Sequence, residues 1–179
     1  PGDRTIIGNE TPRFQFGTTL GVNYKGIDLS VFLQGTGKRD AWLSGDLRFP
    51  LSLGSFGTVY SHQLDFWKPV DPENGNWNPI NPDAEFPRLY DESKNASSNN
   101  RIQTKYLVNA AYLRLKNITL GYTLPKSLVS KISLSNAKIF FSAENIHTWD
   151  KLPKGYDPER LKWGYPFYAT YSFGINVTL

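Results

Sequence analysis

Side chains that could break bonds are sparse in this chain and form no recognisable catalytic motif. The two histidines, His62 and His147, lie far apart, and neither has a Ser or Cys partner at motif spacing. Ser44, in "WLSGDL", is not a nucleophile elbow, because the glycine expected two positions before the serine is missing. We therefore predict that the chain is not an enzyme.

Oxygen ligands for a hard cation are concentrated in the stretch from Asp71 to Asp83, "DPENGNWNPINPD". Ca²⁺ accepts carboxylate and amide oxygens, but this stretch lacks the spacing and the closing Glu of an EF-hand. Turn formation explains Asn, Asp, Gly and Pro equally well. The absence of Cys removes thiolate metal sites and disulfides. We expect neither a metal nor a cofactor.

Four tryptophans fall in long stretches that carry no strand pattern, and these are Trp67, Trp77, Trp149 and Trp163. Indole faces can stack on sugar rings or anchor a partner protein. Packing of the loops against each other is the simpler explanation of any single one. We treat all four as candidate loop contacts to a substrate or to a lid protein.

The elements that must position these side chains are strands. Apolar and polar residues alternate with a period of two in five stretches, which predict strands at about 13–24, 27–36, 108–124, 137–146 and 167–179. Several exceed the five or six residues usual in soluble domains. Lys25 and Gly26 between the first two predict a tight hairpin turn. The sequence predicts an all-β fold.

The third predicted strand changes parity in its middle. Leu113 and Leu115 share one face, whereas Ile118, Leu120 and Tyr122 fall on the other unless one extra residue intervenes. A β-bulge at Lys116 or Asn117 would restore a single apolar face, and we predict it there. The stretch 125–136, which follows, predicts a short connection with one helical turn.

The connections between the strands alternate in length. The turns at 25–26 and 125–136 are short, whereas the loops at about 38–104 and 147–166 are long. An antiparallel up-and-down meander puts alternate connections at opposite ends of its sheet. Short turns at one end and long loops at the other are typical of outer-membrane barrels.

Composition sets further bounds. No apolar run reaches the 18 or so residues of a transmembrane helix, but a barrel strand needs only about 9 to 11 alternating residues. The net charge is +4, and the Lys and Arg residues are scattered among Asp and Glu along the chain. We therefore predict no nucleic-acid binding. The chain contains no Met, not even an initiator, which predicts a piece of a longer polypeptide.

The two faces of the predicted strands differ in character. One face is small, polar and mostly uncharged, whereas a soluble sheet more often presents Lys and Glu to water. This favours lipid on the other face. The predicted lipid-facing residues are Phe14, Phe16, Leu20, Val22, Tyr24, Leu29, Val31, Leu120, Tyr122, Tyr171, Phe173 and Ile175. A soluble β-sandwich that binds carbohydrate remains the alternative, since it has the same alternation.

The chain ends on "SFGINVTL", which resembles the C-terminal assembly signal of bacterial outer-membrane barrels. The resemblance is carried by Ser172, Gly174, Val177 and Leu179. The sequence departs from the commonest form of that signal by ending on Leu instead of an aromatic residue. We expect these residues to serve barrel assembly.

Three blocks carry a wider resemblance: "GDRTIIGNETPRFQFGTTLGVNYKGIDLSVFLQGTG", "AAYLRLKNITLGYTLPKSL" and "ENIHTWDKLPKGYDPE". Together with "FWKPVDPENGNWNPINPDAEFPRLY" they resemble the C-terminal region of SusC/RagA-type TonB-dependent outer-membrane transporters of the Bacteroidetes. The blocks stand in the family's order and cover nearly the whole chain.

The resemblance implies that the five strands are the last five of a 22-stranded barrel in the bacterial outer membrane. Such barrels enclose an N-terminal plug, which is absent from this chain. The parent protein would import glycans or oligopeptides with energy from TonB, reached through that missing region. A SusD-like surface lipoprotein would be its partner, and the lipid bilayer would surround it.

Overall fold

The computed structural model describes residues 4–43, 45, 48–51, 57–89, 101–161, 165 and 167–179. Strands dominate this part of the chain, and they are β1 (Phe14–Tyr24), β2 (Ile27–Gly37), β3 (Asp40–Trp42), β4 (Pro69–Asp71), β5 (Asn76–Pro79), β6 (Leu107–Asn109), β7 (Tyr112–Thr123), β8 (Asn136–Asp150) and β9 (Thr170–Thr178). The α-helix α1 (Lys126–Val129) is one turn long, and 3₁₀ turns occupy Ser61–Gln63, Thr104–Tyr106 and Ser130–Ile132. Among these elements no helix is long and apolar enough to cross a membrane.

The long strands form one five-stranded sheet in the order β1-β2-β7-β8-β9, and every neighbouring pair is antiparallel. Each strand of this sheet therefore pairs with the next long strand in the chain. Two short two-stranded sheets, β3-β6 and β4-β5, belong to the long connection between β2 and β7. The predicted all-β antiparallel up-and-down meander is confirmed.

The turn between β1 and β2 contains two residues, because Tyr24 pairs with Ile27. Lys25 and Gly26 both have positive φ angles, 47° and 84°. Two left-handed residues define the type I′ turn, whose twist matches that of the flanking strands. The predicted tight turn is confirmed.

The predicted bulge lies at Lys116. On one side β7 pairs Leu115 with Leu33 and Asn117 with Phe32, so that Lys116 has no opposite residue in β2. On the other side Asn145, with φ 51°, lies where the register of β8 shifts. The extra residue returns the apolar side chains of β7 to one face, as the parity change required.

The connection from β7 to β8 contains the predicted helical turn. Pro125 precedes α1, where its missing N–H and fixed φ suit the start of a helix. Ser133, at φ 57°, ends the following 3₁₀ turn in the left-handed region.

Three strand boundaries differ from the predicted ones. The predicted strand at 108–124 is split, because Asn109 Oδ1 accepts a hydrogen bond from the N–H of Ala111 at 2.9 Å and turns the chain between β6 and β7. β8 continues to Asp150 instead of ending near residue 146, since the bulge lets its pairing with β7 resume at His147. β9 begins at Thr170 instead of residue 167.

The chain divides into two compact units. The sheet unit comprises Asn9–Asp40, Asn109–Lys151 and Tyr165–Leu179, and the loop unit comprises Pro1–Gly8, Ala41–Val108 and Leu152–Gly164. The loop unit has a small apolar core, in which Leu43, Phe49, Phe86 and Tyr106 are buried. The large apolar side chains of the sheet unit are mostly exposed.

Candidate functional site: a two-faced sheet and a loop cluster

The register of the sheet aligns apolar side chains into rows that cross all five strands. The central row runs through Leu20, Val31, Ile118, Ala143 and Tyr171, each paired with the next. The neighbouring row toward the short turns runs the same way. Its members are Val22, Leu29, Leu120, Phe141 and Phe173. One face of the sheet is therefore apolar from edge to edge.

All twelve predicted lipid-facing residues share this apolar face. Most of them are strongly exposed, with Phe14 at 55% and Phe173 at 71% of their full accessibility. A soluble sandwich would cover such a face with a second sheet. Large apolar groups left open across five strands fit a surface that meets lipid. Their contact with lipid stays a prediction.

Aromatic side chains mark both ends of the apolar face. At the loop end one row joins Phe16, Gly35, Leu113 and Trp149. At the turn end another row contains Tyr24 and Tyr122, both paired with Ile27. Aromatic residues at both rims of an apolar band are typical of membrane barrels.

The prediction of a loop position for Trp149 is wrong. Trp149 lies in β8, pairs with Leu113, and contacts His147 edge-on with ring centroids 4.6 Å apart. The bulge at Lys116 extends the β7–β8 pairing and carries both rings onto the apolar face. Trp149 therefore belongs to the aromatic row at the rim, not to a loop.

The opposite face of the sheet is polar. At its centre Asn117 donates a hydrogen bond to Ser142 Oγ at 3.3 Å and accepts one from Thr119 Oγ1 at 3.0 Å. These groups lie on the central strand β7 and its neighbour β8. A cross-strand network of short polar side chains suits a surface facing water or a polar interior.

Two phenylalanines on the polar face have their rings next to glycines of the neighbouring strand. The ring of Phe140 occupies the place that a Cβ on Gly174 would take, and the ring of Phe32 would lie 3.2 Å from a Cβ on Gly17. Glycine leaves room for a ring above its backbone, which aligns the neighbouring strands. The period of two predicts which face carries these rings but does not predict that they pack against glycines.

An ion pair crosses the polar face near its turn end. Lys138 on β8 contacts Asp28 on β2 at 2.8 Å, passing over β7 at Gly121. A Cβ on Gly121 would come within 2.6 Å of the Asp28 carboxylate. Both charged side chains are about one-third exposed. Gly121 thus makes the contact between strands two places apart possible.

At its loop end the polar face carries a buried arginine. Arg114, 2% exposed, donates from Nε to Thr148 Oγ1 at 2.8 Å. The ring of Phe167 lies 5.4 Å from its guanidinium carbon and 4.5 Å from Lys116 Nζ. The predicted strand started at Phe167, but β9 starts at Thr170, and the ring of Phe167 contacts the two cations.

In the loop unit an arginine is enclosed by aromatic rings. The guanidinium carbon of Arg48 lies 5.9, 5.7 and 5.2 Å from the rings of Phe49, Phe86 and Tyr106, and Nη2 contacts Glu85 at 3.2 Å. Burial raises the pKa of the Tyr106 phenol, and the nearby Glu85 carboxylate raises it further. This cluster holds the loop unit together.

The Asp- and Asn-rich stretch forms the hairpin β4-β5, and its oxygens accept turn hydrogen bonds. Asp71 accepts from the side chain and backbone of Asn74, at 2.8 and 3.3 Å, and these bonds lower the pKa of its carboxyl. Asn81 Oδ1 accepts from the N–H of Lys68 at 2.9 Å. No cluster of three potential metal ligands occurs among the described residues.

The remaining candidates of the sequence belong to different units or fall outside the described residues. His62 stacks on Tyr60 in the loop unit, whereas His147 lies in the sheet unit. Trp77 is half exposed and lies under the guanidinium of Arg88 at 4.6 Å. Trp163 and Ser44 lie outside the described residues.

The role of these four C-terminal residues in barrel assembly stays a prediction. Ser172 and Gly174 lie on the polar face of β9, and Val177 lies on its apolar face and is exposed. Leu179 follows the end of β9.

Comparison with known proteins gives consistent likenesses. The chain is 31% identical over 191 residues to TonB-dependent receptor P3 of Formosa agariphila, and 24% identical over 191 residues to TonB-dependent receptor P26 of the same species. Each alignment covers 98% of this chain but only 17% and 18% of the relatives. No protein-family model matches the chain.

Solved structures agree with these relatives. The RagAB peptide importer in its open-open state superposes with a TM-score of 0.66 at 25% identity, over 97% of this chain and 18% of that one. A further structure of the RagAB peptide transporter gives a TM-score of 0.67 at 25% identity, over 96% and 18%. The chain thus spans less than one-fifth of the length of the proteins it matches.

A meander with one exposed apolar face and one polar face is the arrangement expected of a segment of a β-barrel wall. These likenesses identify the chain as a segment of a SusC/RagA-type TonB-dependent transporter.

Proposed function

We propose that this chain forms five neighbouring strands of a 22-stranded outer-membrane barrel that imports glycans or oligopeptides. The observation that carries the proposal is the apolar face, exposed from edge to edge and bounded by aromatic rows. Tyr24 follows Phe16 by eight residues, which corresponds to roughly 26 Å along a strand at about 3.3 Å per residue. A tilt of about 40° turns this into roughly 20 Å of height, close to the ~25 Å apolar band of such barrels.

The polar face then lines the interior. Its hydroxyl and amide network and the Asp28–Lys138 pair would meet water, substrate or the plug instead of lipid. The outer edges of β1 and β9 have no partner within the described sheet, and unpaired backbone groups are intolerable in lipid. Strands of the parent protein outside this chain would pair with both edges.

The parent protein would draw its energy from TonB through a region outside this chain, and a SusD-like lipoprotein would be its surface partner. The superposed RagAB proteins are described as a peptide importer, which supports import as the activity. The chain itself performs no chemical step in this scheme. Of the four tryptophans considered for contact with a lid protein or a substrate, Trp149 lies in a strand. Trp67, Trp77 and Trp163 remain candidates, and Trp163 lies outside the described residues.

The test uses the full-length gene in its native host. A deletion strain is grown on oligopeptides as the nitrogen source or on oligosaccharides as the carbon source, and free amino acids and monosaccharides serve as controls. Restored growth on one polymer class by the wild-type gene, but not by a gene without its TonB-contacting segment, is the expected result. Equal growth of the deletion and complemented strains on both classes would contradict the proposal.

The soluble alternative, a β-sandwich that binds carbohydrate, fits the structure poorly. It requires a second sheet over the apolar face, and the large side chains of that face are exposed.

A further inference from the structure

The turn end of the sheet carries more positive than negative side chains. Residues 24–28 and 122–138, all of them described by the structure, form this end and are called the turn rim below. Its charged side chains are one carboxylate, Asp28, and four lysines, Lys25, Lys126, Lys131 and Lys138. Lys138 pairs with Asp28 at 2.8 Å. The other three lysines are exposed and have no carboxylate partner within the turn rim.

Backbone hydrogen bonds bring the two stretches of the turn rim together. The N–H of Thr123 donates to Gly26 O at 2.7 Å, which places the β1–β2 turn beside the end of β7. The N–H of Leu124 donates to Ala137 O at 2.9 Å and closes the β7–β8 connection at its base. The unpaired lysines of both connections therefore belong to one edge of the sheet.

The β7–β8 connection also exposes large apolar side chains. Val129 is 2% exposed and α1 contacts β8, whereas Leu128 is 53% and Ile132 64% exposed. These two exposed side chains are four positions apart in a short helical segment and lie next to Lys126 and Lys131 in sequence. Apolar and basic side chains placed side by side are typical of segments that lie in the membrane interface.

The turn rim continues the aromatic row at the end of the apolar face. Tyr24 and Tyr122 both pair with Ile27, and they are 64% and 41% exposed. Lys25 Nζ lies 5.2 Å from the centre of the Tyr24 ring. In a barrel whose apolar face meets lipid, such rings lie at the level of the headgroups. A lysine next to them extends its ammonium group toward the phosphates.

We propose that the turn rim binds anionic phospholipids of the membrane leaflet on the short-turn side, which is the periplasmic side in outer-membrane barrels. Lys25, Lys126 and Lys131 contact the phosphates. Leu128 and Ile132 enter the edge of the hydrocarbon layer. The proposal rests on the proposed barrel function and deepens it by naming a lipid partner.

Charge complementarity selects this occupant. Each lysine near an anionic lipid surface strengthens binding by about fivefold. A zwitterionic phospholipid carries the same phosphate, but its own ammonium group offsets the charge, so three lysines discriminate against it. The exposed apolar pair distinguishes a lipid from a free phosphate ion, which has nothing to place against Leu128 and Ile132.

The experiment measures lipid binding to the purified full-length transporter in detergent by native mass spectrometry. Dioleoyl phosphatidylglycerol and dioleoyl phosphatidylcholine, which share their acyl chains, are titrated separately. Wild type should bind the anionic lipid ~10-fold or more tightly, and the preference should shrink as the salt concentration rises. Equal affinities for the two lipids would overturn the proposal. Displacement of phosphatidylglycerol by an equal concentration of glycerol 3-phosphate would overturn the assignment to a lipid.

Variants then locate the preference. Lys25→Gln with Lys126→Gln and Lys131→Gln should reduce it to within ~2-fold. The matched control removes the same charge from exposed cations at the loop end of the sheet unit, by Arg13→Gln with Lys38→Gln and Lys151→Gln, and should keep it. A preference that survives in the turn-rim variant, or disappears in the loop-end variant, would overturn the assignment.

A second variant separates the apolar contribution from the charge. Leu128→Ser with Ile132→Ser should weaken the binding of both lipids by a similar factor and leave their ratio unchanged. Unchanged affinity for both lipids would contradict insertion of this pair. Because lipid binding is measured on purified protein, an intact preference with failed growth would contradict import alone. Normal growth without any lipid preference would overturn only the turn-rim proposal.

Discussion

A positive charge placed on the apolar face should destabilise the parent barrel far more than the same charge placed on the polar face beside it. Leu20 and Thr19 are neighbours in the middle of β1, and both are exposed. Their side chains point to opposite faces, because successive residues of a strand do so. Leu20→Arg and Thr19→Arg therefore form a matched pair at nearly equal depth.

The magnitude follows from the length of the strand. β1 contains 11 residues. At about 3.3 Å per residue and a tilt of about 40°, this covers roughly 28 Å of height. Leu20 lies close to the middle of that span, where an arginine facing lipid costs about 2–4 kcal/mol. At about 1.4 kcal/mol per tenfold, this corresponds to a ~30- to ~700-fold shift of the folding equilibrium. Tyr24→Arg, at the rim, should cost only about 0–1 kcal/mol.

The assay is urea unfolding of the full-length transporter in lipid vesicles, followed by tryptophan fluorescence. We expect the order Leu20→Arg, then Tyr24→Arg, then Thr19→Arg, from most to least destabilised. A cost at Thr19 equal to that at Leu20, or a neutral Leu20→Arg, would refute the assignment of the apolar face to lipid. Equal costs at Leu20 and Tyr24 would refute the depth argument.

Three further predictions concern the turn, the ion pair and a buried phenol. Gly26→Ala should lower the free energy of unfolding by about 1–2 kcal/mol in the same assay, because φ of Gly26 is positive and a Cβ there would lie 2.8 Å from a backbone oxygen. Gly21→Ala is the control and should change it by no more than about 0.5 kcal/mol, since the nearest atom to a Cβ there is 3.9 Å away. Equal costs for the two variants would contradict the reasoning. Lys138→Gln should lose about 0.5–1 kcal/mol at low salt and less in high salt, since its pair with Asp28 is partly exposed; a loss independent of salt would argue against a Coulombic origin. Burial raises the pKa of the Tyr106 phenol. Its contribution to stability is therefore full below the ordinary pKa of about 10 and falls as the pH rises above that value. The ultraviolet difference between wild type and Tyr106→Phe should show phenolate only above about pH 10, and ionisation at a lower pH would contradict this prediction.

Much of the sheet was predictable because its information is local. The period of two assigned apolar residues such as Leu20 and Phe173 to one face, and the parity change of β7 located the bulge at Lys116. Lys25 and Gly26 indicated the hairpin turn by residue type alone. These features depend on neighbours within a strand or turn, which the sequence lists in order.

Strand boundaries were less predictable, because they depend on pairing with a distant strand. Nothing near Trp149 indicates a strand, yet its pairing with Leu113 across the bulge extends β8 over it. Phe167 continues the alternation of β9 but contacts Arg114 and Lys116 instead. In both places a contact between residues far apart in the chain overrides the local pattern.

The sequence by itself therefore determined the alternation, the turn, the bulge and the family of this protein. Only the tertiary structure decided which side chains meet across strands and loops. The Asp28–Lys138 pair needs Gly121 between them, and the arginine cluster of the loop unit needs Phe86 and Tyr106 beside Arg48. Such groupings join residues that are distant in the chain, and no local period encodes the register and backbone bonds that bring them together.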